Sequence, residues 1–191
     1  MAEKNSRSSM VSTLPYSLET MMVPFYFDQA YKAYSSAFQK MMQTRDLTPS
    51  QCMTLLFLRF FDTPLTASRI ARLLSLETHS VTSLLDQLQK KKLIRRKRSK
   101  SDRRVIEVIL TDQGRQTLRE VVQPYLQFID STFIGVLSPE ELDEFAAIMQ
   151  KIRDAGIAWQ GSDPEKARGM ADKFARWIHT AGNRNASNCL D

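Results

Sequence analysis

The chain has 191 residues, 42% of them hydrophobic and 25% charged, and carries a net charge of +6. That length and balance suit an ordinary globular protein able to bury a core in one compact unit. No run is long and apolar enough to cross a membrane, and residues 1–13 lack the apolar middle of a secretory signal. A cytoplasmic location is therefore expected, with Cys52 and Cys189 as unpaired thiols. The chain has no phosphate-binding glycine loop, no Cys-x-x-Cys pair and only two histidines, His79 and His179, so neither a hydrolytic triad, nor a metal cluster, nor any catalytic site is supported.

In chain order, residues 1–19 read as a flexible arm. Residues 21–43 place Phe27, Tyr31, Tyr34, Phe38 and Met41 at four- and three-residue steps, an aromatic and methionine stripe on one helix. Thr48-Pro49-Ser50-Gln51 is a capping box with proline at the first helical position, and it opens a helix bearing Met53, Leu55, Leu56, Leu58, Phe60 and Phe61. Thr66 is a natural N-cap for a short helix with Ile70, Ala71, Leu73 and Leu74 on its apolar side. Ser75-Leu76 makes a tight turn with Leu76 expected to point inward. A longer helix follows, with Val81, Leu84, Leu85 and Leu88 as its buried stripe. The opposite face of that second helix carries Thr78, His79, Ser80, Thr82, Ser83, Asp86, Gln87 and Lys90. Short hydroxyl, imidazole and amide groups at a helix N-terminus can reach base edges and phosphates without holding the helix away from a groove.

The next stretch is the most informative. From Leu93 and Ile94 the chain runs into Arg95, Arg96, Lys97, Arg98 and Lys100, turns at Ser101 and Asp102, and returns through Arg103 and Arg104 into the β-branched run Val105-Ile106-Glu107-Val108-Ile109. This predicts a two-stranded ribbon with a cationic tip. Taken alone, a basic run is a solvated hairpin as readily as a ligand for phosphate. Directly after a helix-turn-helix it reads as a wing, which reaches the minor groove while the second helix enters the major groove. Beyond the wing, Thr111 caps a long helix with Leu118, Val121, Val122, Tyr125, Leu126, Ile129 and Phe133, interrupted by Pro124, which should bend it. Ser138-Pro139-Glu140-Glu141 is a second capping box, opening a helix with Phe145, Ile148, Met149, Ile152 and Trp159. Asp163-Pro164-Glu165 looks like one more helix start, with Met170, Phe174, Trp177 and Ile178 on one face and a frayed polar tail behind.

These pieces together resemble the multiple antibiotic resistance regulator (MarR) family of bacterial transcription factors. The carrying residues are Leu47-Thr48-Pro49-Ser50-Gln51; Leu65-Thr66 with Ile70-Ala71 and Leu74; Val81-Thr82 with Leu84-Leu85-Asp86 and Leu88; Leu93-Ile94; and above all Asp102-Arg103-Arg104 followed by Leu110-Thr111 and Gly114. The last group is similar to the family's wing signature, Asp-x-Arg at the tip and Leu-Thr-x-x-Gly at the exit. The resemblance covers residues 20–155. Ser75 and Lys92 stand where family members often carry glycine, at positions suited to a left-handed backbone, each at a cost of about 1 kcal/mol.

The resemblance implies a mainly α fold with a small β-wing, a winged helix-turn-helix over residues 47–111, long dimerisation helices over 20–46 and 112–160, and a C-terminal extension over 161–191. It implies a homodimer that binds a pseudo-palindromic operator in double-stranded DNA, with no membrane partner and no cofactor. A small aromatic or amphipathic effector would lodge near Tyr31, Tyr34, Phe38, Met53, Phe57 and Phe61, a set that equally suits plain core. Arg104 is expected to enter the minor groove, with Asp102 holding either its guanidinium or the turn backbone. The competing reading is a winged-helix module inside a larger nucleoprotein assembly, in non-specific contact with DNA.

Overall fold

The computed structural model describes residues 16–61 and 64–164. They belong to two compact units, residues 1–41 and 42–191. The expectations for residues 1–15, for the C-terminal helix through Trp177 and for Cys189 lie outside the described residues.

Helix α1 spans Leu18–Gln43 and so makes up nearly all the described part of the first unit. It starts earlier than its stripe suggested, because Ser17 Oγ accepts the Thr20 N–H at 3.2 Å and so satisfies a first-turn donor. It runs through Pro24, which forgoes one backbone bond. Its N-terminal half is apolar all round: Met21, Val23, Phe25, Tyr26 and Phe27 are all exposed on the single chain. Phe38, further along, is buried.

In the second unit, helix α2 (Pro49–Phe60) opens on the expected capping box, with both the Thr48 and the Gln51 side-chain bonds formed. Helix α3 (Ala67–Leu74) is capped by Thr66, and helix α4 (Thr78–Lys90) follows. Strands β1 (Ile94–Arg98) and β2 (Ile106–Leu110) pair antiparallel, Ile94 opposite Leu110 and Arg98 opposite Ile106. Leu65, just ahead of α3, bridges to Val108 and adds a third edge to the ribbon. Helix α5 (Asp112–Ile129), capped by Thr111, contains Pro124 and widens into a π-helical turn, Asp130–Ile134, rather than continuing as one α-helix. Helix α6 (Pro139–Trp159) opens on the second capping box, Ser138 with Glu141.

Three helices end by one device. Asp46, Ser75 and Lys92 have φ of 52°, 52° and 60°. In each case the next residue's N–H returns to a carbonyl five residues back: Leu47 to Met42, Leu76 to Ala71, Leu93 to Leu88, at 3.2, 2.9 and 3.0 Å. That is the left-handed helix stop usually served by glycine. Ser75 and Lys92 adopt the backbone expected of them. Leu76 does not turn inward, however; it is 36% exposed, because the same stop that satisfies its N–H leaves its side chain at the outer edge of the turn.

The core beneath these elements comes from the expected stripes. Leu55, Ile70, Val81, Leu85, Leu88, Ile94 and Leu118 are at most 1–2% exposed. Each such side chain contributes about 1.5–3 kcal/mol by leaving water. They join α2, α3, α4, the ribbon and the start of α5 around one centre, so α4 turns its polar side outward.

Candidate nucleic-acid interface

On α4, Thr78, His79, Thr82, Ser83 and Gln87 are exposed and Ser80 is half-buried. Two of these side chains are already committed. Thr82 Oγ1 donates its proton to the Thr78 carbonyl at 3.0 Å, leaving the hydroxyl oxygen outward as an acceptor. Gln87 Oε1 accepts from Gln51 Nε2 at 2.9 Å. The α4 N-cap, Glu77, makes no side-chain cap bond, so the first-turn N–H groups beside Thr78 and His79 keep their partial positive charge for an outside acceptor.

The wing projects from β1 and β2, and its cations differ in role. Arg96 Nη1 bonds Asp86 Oδ1 at 2.6 Å and Gln89 Oε1 at 3.1 Å, both on α4. It therefore ties the base of the wing to the reading helix, and its charge, though exposed, is matched by Asp86. Arg95, Lys97, Arg98, Lys100, Arg103 and Arg104 are exposed and take part in no ion pair among the described residues. The tip closes one step later than the sequence suggested: Val105 N–H reaches the Asp102 carbonyl and Ser99 N–H the Val105 carbonyl, each at 2.9 Å. Asp102 Oδ1 accepts the backbone N–H of Arg104 at 2.9 Å, the turn that Asp favours for this reason. Of the two partners expected for that carboxylate, the structure forms the backbone one.

The α4 C-terminus is anchored as well. Lys91 Nζ donates to the Asp46 carbonyl and pairs with Asp46 Oδ2 at 3.0 Å. Helix α4 is thus held by Asp46 and Gln51 ahead of and within α2, and by Arg96 in the wing. Sequence reasoning found the exposed face and missed these three partners. Gln51 carried one visible signal, its place in the capping box; its second bond joins residues 36 apart in sequence, which no local pattern reports.

The remaining expected residues divide. Tyr31 is 61% exposed, Tyr34 is half-buried and Phe38 buried; on α2, Phe57 is buried, Met53 is half-buried and Phe61, just past its end, is half-buried. Phe61 also lines an open cleft of about 550 Å³ with Leu58, Arg59, Pro64, Leu65, Arg95, Val108, Ile109, Leu110 and Arg115. The Arg115 guanidinium, bonded to Asp112 at 2.6 Å, holds that carboxyl below its ordinary value, with Arg95 adding to the effect. Three guanidinium groups against an aromatic and aliphatic wall were not visible in the sequence, where Arg59, Arg95 and Arg115 stand far apart. Cys52 is fully buried and burial pushes its thiol up to about 12, so the group is a small apolar core residue, not a nucleophile. Among the described residues no group of His, Cys, Asp or Glu is placed to hold a metal ion, and no helix is long and apolar enough to cross a membrane.

A helix-turn-helix whose second helix is locked to a cationic two-stranded wing defines a winged helix-turn-helix protein. Residues 45–105 match the sequence model of the MarR family. The chain is 30% identical over 128 residues to the HTH-type transcriptional repressor MdtR of Bacillus subtilis (strain 168), covering 67% of this chain and 81% of that protein. The fold is similar to that of BpsR of Bordetella bronchiseptica, a protein whose DNA binding is regulated by 6-hydroxynicotinic acid: TM-score 0.64, 26% identity, 74% of this chain and 99% of that one. It is also similar to MepR of S. aureus solved in complex with DNA: TM-score 0.63, 25% identity, 70% of this chain and 97% of that one. The chain belongs to the MarR family.

Proposed function

We infer that this protein is a sequence-specific transcription regulator, a repressor released by a small effector, which binds double-stranded DNA as a homodimer. It acts by binding and not by catalysis. The observation that carries the reading is the division of labour at the interface: Arg96 holds the wing to α4, while the other wing cations stay outside any ion pair among the described residues and α4 presents short polar side chains beside them. Cations left open on a narrow finger release condensed counterions from phosphates, and a short-chained helix face can follow base edges. MdtR is a repressor, and MepR has been solved on DNA, which supports the same use of this surface.

The effector belongs in the cleft that Phe61 shares with Arg59, Arg95 and Arg115. A small aromatic or amphipathic molecule carrying an acid group matches that lining, its ring against Phe61 and Ile109 and its anion against Arg59 and Arg95, Arg115 being already bonded to Asp112. Regulation of BpsR by 6-hydroxynicotinic acid supports an effector of this kind. Because Arg95 lies in β1, occupancy of the cleft acts directly on the base of the wing.

Titration of operator and random DNA over a range of salt tests the assignment. Arg98→Ala and Lys100→Ala should weaken binding to both DNAs alike and lower the salt slope by about one each. His79→Ala and Ser80→Ala should instead lower the ratio of operator to random binding, by about 1–3 kcal/mol for each base-edge hydrogen bond removed. An unchanged ratio in the α4 variants would show that this face does not read the bases.

A further inference from the structure

The bond between Gln51 and Gln87 has a direction, and the direction is imposed from the backbone. Thr48 N–H donates to Gln51 Oε1 at 3.2 Å as half of the α2 capping box. That fixes which end of the Gln51 amide faces Thr48: the reversed amide would set its NH2 against an N–H, donor against donor. The other end, Nε2, therefore points away and donates to Gln87 Oε1 at 2.9 Å. Gln51 is 2% exposed, so water cannot take the place of either partner, and an unmet donor there would be costly. The polarity set at residue 48 is thus passed to residue 87.

Gln87 is itself exposed, four residues beyond Ser83 and seven beyond Ser80 on the same side of α4. A glutamine free to orient both ends reads adenine, accepting from N6 and donating to N7. Here Oε1 is held toward α2, and the end turned outward is the Nε2 amine. Toward the major groove that amine can donate to guanine (O6, N7) or thymine (O4); at adenine it keeps the N7 acceptor but loses the bond from N6, and at cytosine it meets only an exocyclic amine, donor against donor.

We propose that Gln51, buried behind the reading face, sets the base preference of Gln87 by denying it the two-bond contact with adenine and any contact with cytosine, which leaves it to donate to guanine or thymine in preference. Gln51 is a positioning residue and Gln87 the residue it specialises. The proposal rests on α4 being the helix that reads the major groove.

Selection from a pool of randomised operators, followed by titration of the preferred sites, tests it with four proteins: wild type, Gln87→Ala, Gln51→Leu and Gln51→Glu. Thermal melting of each variant reports folding separately from base preference. Gln87→Ala should erase preference at one base pair per half-site and so locate the contact. At that pair the wild type should favour guanine or thymine over cytosine by about tenfold and over adenine by about threefold. Gln51→Leu keeps the volume and frees the Gln87 amide for both adenine bonds, so adenine should become the preferred base. Gln51→Glu keeps the capping box but has no donor, so Gln87 must turn its amine inward and its oxygen out, and preference should move to adenine or cytosine.

If Gln51→Leu and Gln51→Glu both keep the wild-type preference at that pair, or Gln87→Ala changes no base preference while His79→Ala does, the inference is overturned and α4 remains the reading helix. If the wild type selects no sequence at all, the reading of α4 itself falls.

Discussion

Asp102 is an acid placed among cations that face phosphate, where its charge opposes DNA. Its carboxylate is bonded to the Arg104 backbone at 2.9 Å, so its use is to shape the turn from which Arg104 projects. Charge and shape can be separated by substitution. Asp102→Asn keeps the acceptor and removes the charge, so operator binding should equal or exceed that of the wild type. Asp102→Ala removes both, and the missing turn bond, about 0.5–1.5 kcal/mol, should weaken operator binding about twofold to twelvefold. Operator titration of the two variants at one salt concentration checks this; tighter binding by Asp102→Ala would mean that the carboxylate acts only as an unfavourable charge. The presence of an acid at the tip was legible in the sequence, and so was the pair of partners open to it. Which partner it takes depends on where the chain closes, at the Asp102–Val105 bond, and that needed the structure.

At the scale of elements, the exit of the wing is where several sequence signals prove to be one piece of geometry. Thr111 N–H donates to the Leu93 carbonyl at 3.1 Å and Thr111 Oγ1 to the Lys92 carbonyl at 2.6 Å, while the same hydroxyl accepts the Gly114 N–H at 3.0 Å. The first turn of α5 is thereby pressed onto the chain leaving α4, and a Cβ at position 114 would lie well inside contact distance of the Leu93 carbonyl oxygen. Glycine is required there by this close approach. Gly114→Ala should destabilise the fold by about 2–3 kcal/mol, read as a lower urea midpoint at unchanged slope. A midpoint equal to that of the wild type would mean that the contact yields freely. Caps, left-handed stops and apolar stripes were readable because each is a local rule written in neighbouring residues. The clamps of Arg96 on Asp86 and of Lys91 on Asp46 were not, since polar pairs between distant segments leave no period. The exposure of Leu76 and the π turn at Asp130–Ile134 escaped for a related reason: an apolar residue in a turn looks locally like core, and the apolar spacing from Ile129 to Phe133 looks like continued α-helix.

For the molecule as a whole, the decisive feature is the apolar surface that stands exposed in each of its two units. Phe25, Tyr26 and Phe27 on α1, Ile134 and Val136 after α5, and Phe145, Ile148 and Ile152 on α6 are each 39–67% exposed, and Trp159 is 93% exposed. Such stripes mark an interface, and a second copy of the chain is the occupant that two-fold operator binding requires. In such a closed, two-fold pair the two α4 helices should stand about one DNA turn apart, roughly 34–36 Å, to read two half-sites on one face of the duplex. Footprinting on the DNA flanking the protein's own gene tests that claim most directly. The expected result is a compact, symmetric footprint over two inverted half-sites centred about 10 base pairs apart, abolished when Ile148→Asp or Ile152→Asp puts a charge in the joining face. Uniform weak protection along the whole fragment, or full-strength protection of a single half-site by a monomer, would contradict it.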